Sequence, residues 1–375
     1  LTNLARARRR KSSPLQAAKK ELSLMKIAIM GFGVVGSGVY EVIESGNDSI
    51  AKRAGEPIEI KHILDLRDFP DHERSEIFTK SFDDIINDSE IELVAEVIGG
   101  LNPAYDYTKR LLTAGKSVVT SNKELVACHG TELLELAAQN GAQYMFEASV
   151  GGGIPIIRPI NSCLAANSIT DIMGILNGTT NYILTRMIKD NQSFEEALAG
   201  AQERGYAERD PSADIEGKDT CRKIAILASL AFERFVNSDE IPTEGITKIT
   251  LEDVVFAESQ GKVIKLVGMA SKVGDKVFAK VCPVMMDKSH PLAGVEDVFN
   301  GVLLHADNVG DVLFYGRGAG KLPTASAVVA DIIDVMRHKN TPQRKLWSGT
   351  AEVLPKIPEE VKAKLSENGI TVLYN

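Results

Sequence analysis

Cysteine and histidine are scarce in this chain, and neither is arranged for metal or disulfide chemistry. The four cysteines, Cys128, Cys163, Cys221 and Cys282, lie far apart with no Cys-x-x-Cys pair. That spacing excludes a disulfide framework and a cysteine zinc site. The six histidines show no His-Glu-x-x-His pattern. Long apolar runs are missing too. The most apolar stretch, Ile224 to Phe232, is far short of the ~20 residues a membrane span needs. An excess of positive charge is also absent, because the formal net charge is −8. This argues against nucleic acid as the main partner. Neither internal repeats nor a secretory apolar segment is visible. The expectation is a cytoplasmic protein with reduced thiols.

What is present is the composition of an ordinary globular protein, with 44% apolar and 25% charged residues over 375 positions. That length allows two domains or three. The charge is unevenly spread. Residues 1–24 carry seven basic side chains and one acid, and the rest of the chain therefore holds a net −14. The expectation is a basic, disordered extension over 1–24, with the natural start at Met25.

The first half alternates strand and helix signals. Strands are predicted at Lys26–Met30, Ile58–Leu64, Leu93–Ile98, Ser117–Thr120 and Ala142–Phe146. Helices are predicted from the first glycine loop through Gly46, at Pro103–Ala114 and at Gly130–Gln139. This alternation implies a parallel sheet covered on both faces. The second half differs. A strand at Ser168–Leu176 precedes helices at Thr179–Ile188, Ser193–Arg204 and Ile215–Phe232, the last with Asp214 as a plausible cap. Val263–Ala270 and Lys276–Met285 flank a Val273-Gly274-Asp275 turn, a hairpin signal. Further strands at Val302–Ala306 and Val312–Tyr315 and a helix at Pro323–Met336 complete an α+β pattern. The expected fold class is α/β. A Rossmann-type dinucleotide-binding domain over 25–150, closed by the helix at 323–337, adjoins an α+β substrate and dimerisation domain over 151–322. Residues 338–375 are expected as a short tail.

Gly31-Phe-Gly33-Val-Val-Gly36 lies between the first strand and the first helix, the place of a dinucleotide fingerprint. Gly31 permits the tight turn, Gly33 the approach of pyrophosphate, and Gly36 close helix–sheet packing. The end of the second strand should choose the cofactor. Leu64-Asp65-Leu66-Arg67-Asp68 offers Asp65 for the ribose of NAD and Arg67 for the 2′-phosphate of NADP, and the alternative stays open. Lys123 follows a strand end and is placed to reach the site. Asp219 and Lys223 share a helix face at i, i+4. Lys223 adjoins an apolar stretch that would lower its pKa towards the range useful for proton transfer. Glu208, Asp210, Asp214, Glu216 and Asp219 form an acidic cluster suited to a substrate ammonium. The run from Glu147 to Pro155 combines consecutive glycines with one carboxylate, which suits a hard cation or a hinge.

Taken in order, these motifs resemble one family. They are Gly31–Gly36, Asn122-Lys123, Phe146–Ile156, Gly174-Ile-Leu-Asn-Gly-Thr-Thr-Asn-Tyr-Ile183, Asp210-Pro-Ser-Ala-Asp214 through Asp219-x-x-x-Lys223, and Tyr315-Gly-Arg-Gly-Ala-Gly320. The chain is similar to homoserine dehydrogenases from about Met25 to Arg337. The resemblance implies reversible NAD(P)-dependent interconversion of L-homoserine and L-aspartate 4-semialdehyde, a step in threonine, methionine and isoleucine biosynthesis. It implies Lys223 as proton donor and acceptor with Lys123 nearby, and Glu208, Asp214 and Asp219 as substrate ligands. NADP or NAD would be held by Gly31, Phe32, Gly33, Val34, Val35, Gly36, Gly99, Lys123, Gly205 and Gly320. A structural sodium ion would sit at Glu147 with backbone oxygens of Val150, Gly152 and Ile154. A homodimer through the second sheet is implied as well. The 38 residues after Arg337 are too few for the regulatory ACT domain that many members carry. The alternative is another Rossmann-fold oxidoreductase acting on an amino acid or oxo acid.

Overall fold

The computed structural model describes residues 24–339 and 341–373. The extension expected over 1–24 therefore lies outside the described residues, except for Leu24. Two sheets organise the chain.

The first sheet contains β1 (Met25–Met30), β2 (Ile58–Leu64), β3 (Phe78–Thr79), β4 (Ile91–Glu96), β5 (Ser117–Thr120) and β6 (Tyr144–Met145). Its order is β3-β2-β1-β4-β5-β6, with all neighbours parallel. The helices α1 (Val34–Ala54), α2 (Asp83–Ile86), α3 (Ala104–Thr113) and α4 (Lys123–Gln139) connect the strands. Strand order reverses between β1 and β4, so the turns beyond their carboxyl ends open a crevice there. The strands read as near-continuous Ile, Leu, Val and Ala because both faces are buried. Helix α4 begins at Lys123, seven residues before the predicted Gly130. Asn122 is the reason: its side-chain oxygen accepts from the Leu125 N–H at 3.1 Å and caps the helix.

The second sheet follows β7 (Ile169–Ile175), α5 (Gly178–Asp190), α6 (Phe194–Glu203), α7 (Ser212–Ile215), α8 (Lys218–Ala231) and α9 (Leu251–Ser259). It adds β8 (Lys262–Val273), β9 (Lys276–Asp287), β10 (Phe299–Ala306) and β11 (Gly310–Arg317). The order is β11-β10-β7-β8-β9, all antiparallel. One face packs on α5, α8 and α9, where Ile224, Leu227 and Leu230 join the main core. The single helix predicted from Ile215 to Phe232 is broken. Gly217 adopts φ 85°, a left-handed conformation that side chains resist, and separates α7 from α8. Asp214 therefore lies within α7 and does not cap α8.

Helix α10 (Lys321–Arg337) returns to the first sheet. It packs along α1, with Ala325, Val328 and Ile332 in the core beneath it. The chain then stitches both halves together. Trp347 is buried against Phe146, and its indole N–H donates to Thr131 Oγ1 on α4 at 2.8 Å. The segment expected as a tail next places β12 (Val353–Leu354), α11 (Glu359–Glu367) and β13 (Ile370–Val372) on the second sheet. β12 and β13 both pair with β9, whose outer backbone groups would otherwise face water. Val361, Leu365 and Ile370 cover part of the sheet's outer face. The face expected to serve a partner subunit is thus partly covered by the chain itself. No helix among the described residues is long and apolar enough to cross a membrane.

Candidate active site

Two groups of residues meet the crevice at the strand ends. The first is the glycine loop after β1. A Cβ on Gly36 would lie 1.9 Å from the Gly31 carbonyl oxygen, so only glycine allows the loop to close on α1. Gly33, in contrast, has nothing within 4 Å of its Cβ position and faces open space. It starts α1, which has no side-chain cap and no acid in its first turn. Its first N–H groups are therefore free for an anion, and the helix dipole favours one there. That arrangement fits a pyrophosphate. Val34 is exposed and Val35 half-buried beside it.

Asp65 closes the far side of this loop. Its carboxylate accepts from the Phe32 N–H at 2.8 Å and from Arg67 Nε and Nη2 at 2.9 and 2.8 Å. Arg67 also donates to the Phe32 carbonyl oxygen at 3.0 Å. The side chain of Arg67 is 61% exposed and that of Asp65 only 10%. The Arg67 guanidinium holds the Asp65 carboxyl well below the usual carboxylate range.

The second group is charged, with Asp219 and Lys223 buried, and it joins the two halves of the chain. Asp219 Oδ1 pairs with Lys123 Nζ at 2.7 Å, and Oδ2 pairs with Lys223 Nζ at 2.7 Å. Asn177, just after β7, donates from Nδ2 to Asp219 Oδ2 at 2.9 Å and to Asp214 Oδ1 at 2.7 Å. Lys223 also donates to the Leu176 carbonyl oxygen at 2.7 Å. One carboxylate thus holds both candidate lysines. A second bridge, Arg222 Nη2 to Glu124 Oε1 at 2.6 Å, fastens α8 to α4 alongside it.

The electrostatics separate the two lysines. Burial lowers the pKa of Lys223, the Lys123 ammonium adds to that, and Asp219 only partly offsets it. For Lys123 burial also pulls downward, but the facing Asp219 carboxylate outweighs it and holds the ammonium above its ordinary value. Burial would raise Asp219, yet the two lysines and Asn177 keep it well below the carboxylate range. Burial and the Asp219 charge push Asp214 up.

The remaining expected residues are spread around this centre. Gly99 lies in the exposed turn after β4, Gly320 starts α10, and Gly205 follows α6. Glu208 is exposed on the loop after α6, where its backbone oxygen accepts from Gln202. The structure brings Asp214, Asp219, Lys123 and Lys223 together but leaves Glu208 outside that bonded network.

Glu147 departs from the expectation that its carboxylate faces a cation. Its oxygens accept the N–H groups of Ile156 (2.6 Å), Ile157 (2.9 Å) and Arg158 (2.7 Å), the free donors at the start of the next helical turn. Its carboxylate is thus engaged by three backbone donors, whereas its backbone oxygen can join those of Val150, Gly152 and Ile154. No cluster of three or more His, Cys, Asp or Glu suited to a metal exists among the described residues.

Sequence reasoning missed Asn177 and the Leu176 carbonyl, although both lie inside the Asn-Gly-Thr-Thr-Asn motif region. It also missed Glu96, wholly buried at the end of β4. A single acid inside Leu93-Val-Ala-Glu-Val-Ile-Gly-Gly100 was the available signal.

Comparison with known proteins identifies the family. Residues 31–147 match the family model for the homoserine dehydrogenase NAD-binding domain, and residues 155–333 match that for homoserine dehydrogenase. A homoserine dehydrogenase of Bacillus subtilis is 42% identical over 324 residues, covering 84% of this chain and 74% of that protein. One from Synechocystis is 43% identical over 321 residues, covering 83% and 73%. A crystal structure of a Thiobacillus denitrificans homoserine dehydrogenase superposes with a TM-score of 0.85 at 36% identity, covering 92% of this chain and 86% of that one. A hyperthermophilic archaeal homoserine dehydrogenase mutant in complex with NADPH gives 0.73 at 29% identity, covering 86% and 100%. The chain belongs to the homoserine dehydrogenase family. It is an NAD(P)-dependent oxidoreductase that interconverts L-homoserine and L-aspartate 4-semialdehyde.

Proposed function

We propose that Lys223 moves the proton of this reaction and that Asp219 sets its position and its pKa. The observation that carries the reading is the Asp219 carboxylate shared between Lys123 and Lys223 beside the strand ends. The nicotinamide cofactor supplies or accepts the hydride when bound. Reduction of the aldehyde builds charge on its oxygen, and protonated Lys223 donates a proton there. In the reverse direction neutral Lys223 takes the hydroxyl proton of homoserine. Two hydrogen bonds, to Leu176 and Asp219, fix the amine so that its remaining valence points to the reacting oxygen. Lys123 stays charged and receives negative charge on the substrate side, while Glu208, Asp214 and Asp219 take up the substrate ammonium. The glycine loop with Phe32, Val34 and Val35, together with Gly99, Gly205 and Gly320, surrounds the cofactor. A steady-state assay of Lys223→Ala with homoserine and each cofactor tests this reading, and a kcat near that of the parent would overturn it.

NADP is the favoured cofactor in this reading. Both Asp65 oxygens are occupied by Arg67 and the Phe32 N–H, whereas the Arg67 guanidinium remains largely exposed for a 2′-phosphate. A sodium ion is held by the backbone oxygens of Glu147, Val150, Gly152 and Ile154, without the Glu147 carboxylate. Replacing sodium by a large organic cation should then lower the melting temperature. The protein works in the cytoplasm as a homodimer. Its contact uses the exposed end of the second sheet, where Leu313 (40% exposed) and Tyr315 (53% exposed) stand on edge strand β11. Sedimentation of the whole chain checks this.

A further inference from the structure

We propose that Glu96 is a positioning residue that sets the cofactor-facing turn after β4 and the Lys123 turn after β5 as one rigid unit. The inference rests on the reading of Lys123 and the crevice given above.

Glu96 is the last residue of β4 and pairs in register with Thr120, the last residue of β5. It is 0% exposed. A carboxylate so placed needs donors, and the fold supplies them from both turns. Thr120 Oγ1 donates to Oε2 at 2.6 Å, and the Ile98 N–H donates to Oε1 at 2.9 Å. The Gly99 N–H and the Asn122 side chain stabilise the carboxylate further, against the burial that raises its pKa.

The same atoms then pass the constraint on. Thr120 Oγ1 accepts the Asn122 N–H at 2.9 Å. Asn122 Nδ2 donates to the Gly100 carbonyl oxygen at 2.6 Å, closing a ring between the two turns. Asn122 also caps α4, whose first residue is Lys123. Val97 and Ile98 stand against the glycine loop: a Cβ on Gly31 would lie 2.9 Å from the Val97 carbonyl oxygen and 3.1 Å from Ile98 Cα. Moving Glu96 therefore moves a wall of the cofactor crevice and the root of Lys123 together.

A neutral amide replaces it only imperfectly. Both oxygens accept, so the NH2 of Glu96→Gln faces either the Ile98 N–H, with which it cannot bond, or the Thr120 hydroxyl, whose proton must then turn away from residue 96. The bonding between the two turns is weakened while side-chain volume is kept.

The experiment compares the parent, Glu96→Gln and Thr120→Val, with Thr120→Ser as the variant that keeps a hydroxyl. Readouts are kcat and KM for homoserine and NADP, NADPH binding followed by its own fluorescence, and the melting temperature. Glu96→Gln should lower kcat by about 10²-fold, the usual cost of misplaced reacting groups. It should also weaken NADPH binding, and it should raise the KM for homoserine by less than it lowers kcat. Thr120→Val should reproduce this split, and Thr120→Ser should recover most of it. Unchanged kcat and NADPH affinity in well-folded Glu96→Gln would overturn the proposal. Should that variant not fold, an unchanged Thr120→Val would overturn it equally. A lower melting temperature with unchanged kinetics per folded molecule would reduce Glu96 to a purely structural role and also overturn it. Because NADPH binding is read directly, a parent inactive on homoserine would sink the proposed mechanism without deciding the role of Glu96.

Discussion

The glycine loop after β1 and the lysine–aspartate cluster on α8 serve the same crevice by opposite means. The loop presents unpaired backbone N–H groups and bare space at Gly33, so it is incomplete until an anion arrives. The cluster is already satisfied. Every charge in it has a partner within 2.9 Å, and the carboxylate at its centre is buried. A binding surface can be left open to water at little cost. A group that must titrate is buried, and then every neighbour of the charge matters.

The sharpest way to break this contrast is Lys223→Ala. Loss of the proton-transferring group should lower kcat by about 10²–10⁴-fold, with cofactor affinity retained. Steady-state kinetics with NADPH titration would show whether the two regions are separable in this way.

Asp219→Asn comes next. It leaves the shape but removes the anion that holds both lysines, and kcat should fall by about 10²-fold. It also has a pH signature. Lys223 titrates below the ordinary lysine value of 10.5 because it is buried. Homoserine oxidation needs the neutral amine, so its rate should rise with pH through that lowered pKa. Aldehyde reduction needs the ammonium and should fall over the same interval. Because Asp219 raises the Lys223 pKa, its removal should move both limbs to lower pH. Profiles of kcat in each direction test the sign.

On the loop side, Gly33→Ala and Gly36→Ala should differ in kind. Gly33→Ala has room in the fold and should cost about tenfold in cofactor affinity, close to 1.4 kcal/mol, with an unchanged melting temperature. Gly36→Ala collides with the Gly31 carbonyl and should lose stability, by about 1–3 kcal/mol or more. Thermal melts beside NADPH titrations separate the two. The smallest effect is expected for Arg67→Ala. It should raise the KM for NADP a few-fold and leave that for NAD unchanged, since the guanidinium is exposed and its charge is screened.

The same contrast governs how much of the site was legible in the sequence. The glycine loop is local: its spacing, its strand and its helix are contiguous, so Gly31, Gly33 and Gly36 could be read directly. Asp219 and Lys223 were legible because four residues on a helix bring them to one face. Lys123 was legible only as a residue at a strand end. Its sharing of Asp219 depends on α4 meeting α8, which no local pattern encodes. Asn177, the Leu176 carbonyl and Glu96 were hidden for a related reason, since their partners lie across the sheets. The break at Gly217 was also missed, because the apolar periodicity of α8 runs on through Ile215. β12 and β13 are two and three residues long, too short to carry a pattern, and they exist because β9 needs edge partners.

Trp347 is the only tryptophan in the sequence. It is buried between Phe146, just after β6, and Thr131 on the helix that begins with Lys123. All indole emission from this protein therefore originates at one address, where the C-terminal segment straps the two halves together. A red shift would report release of that strap. Quenching by reduced nicotinamide, whose absorption overlaps indole emission, would report cofactor arrival. The fold thus carries an optical gauge of its own assembly, readable without any label.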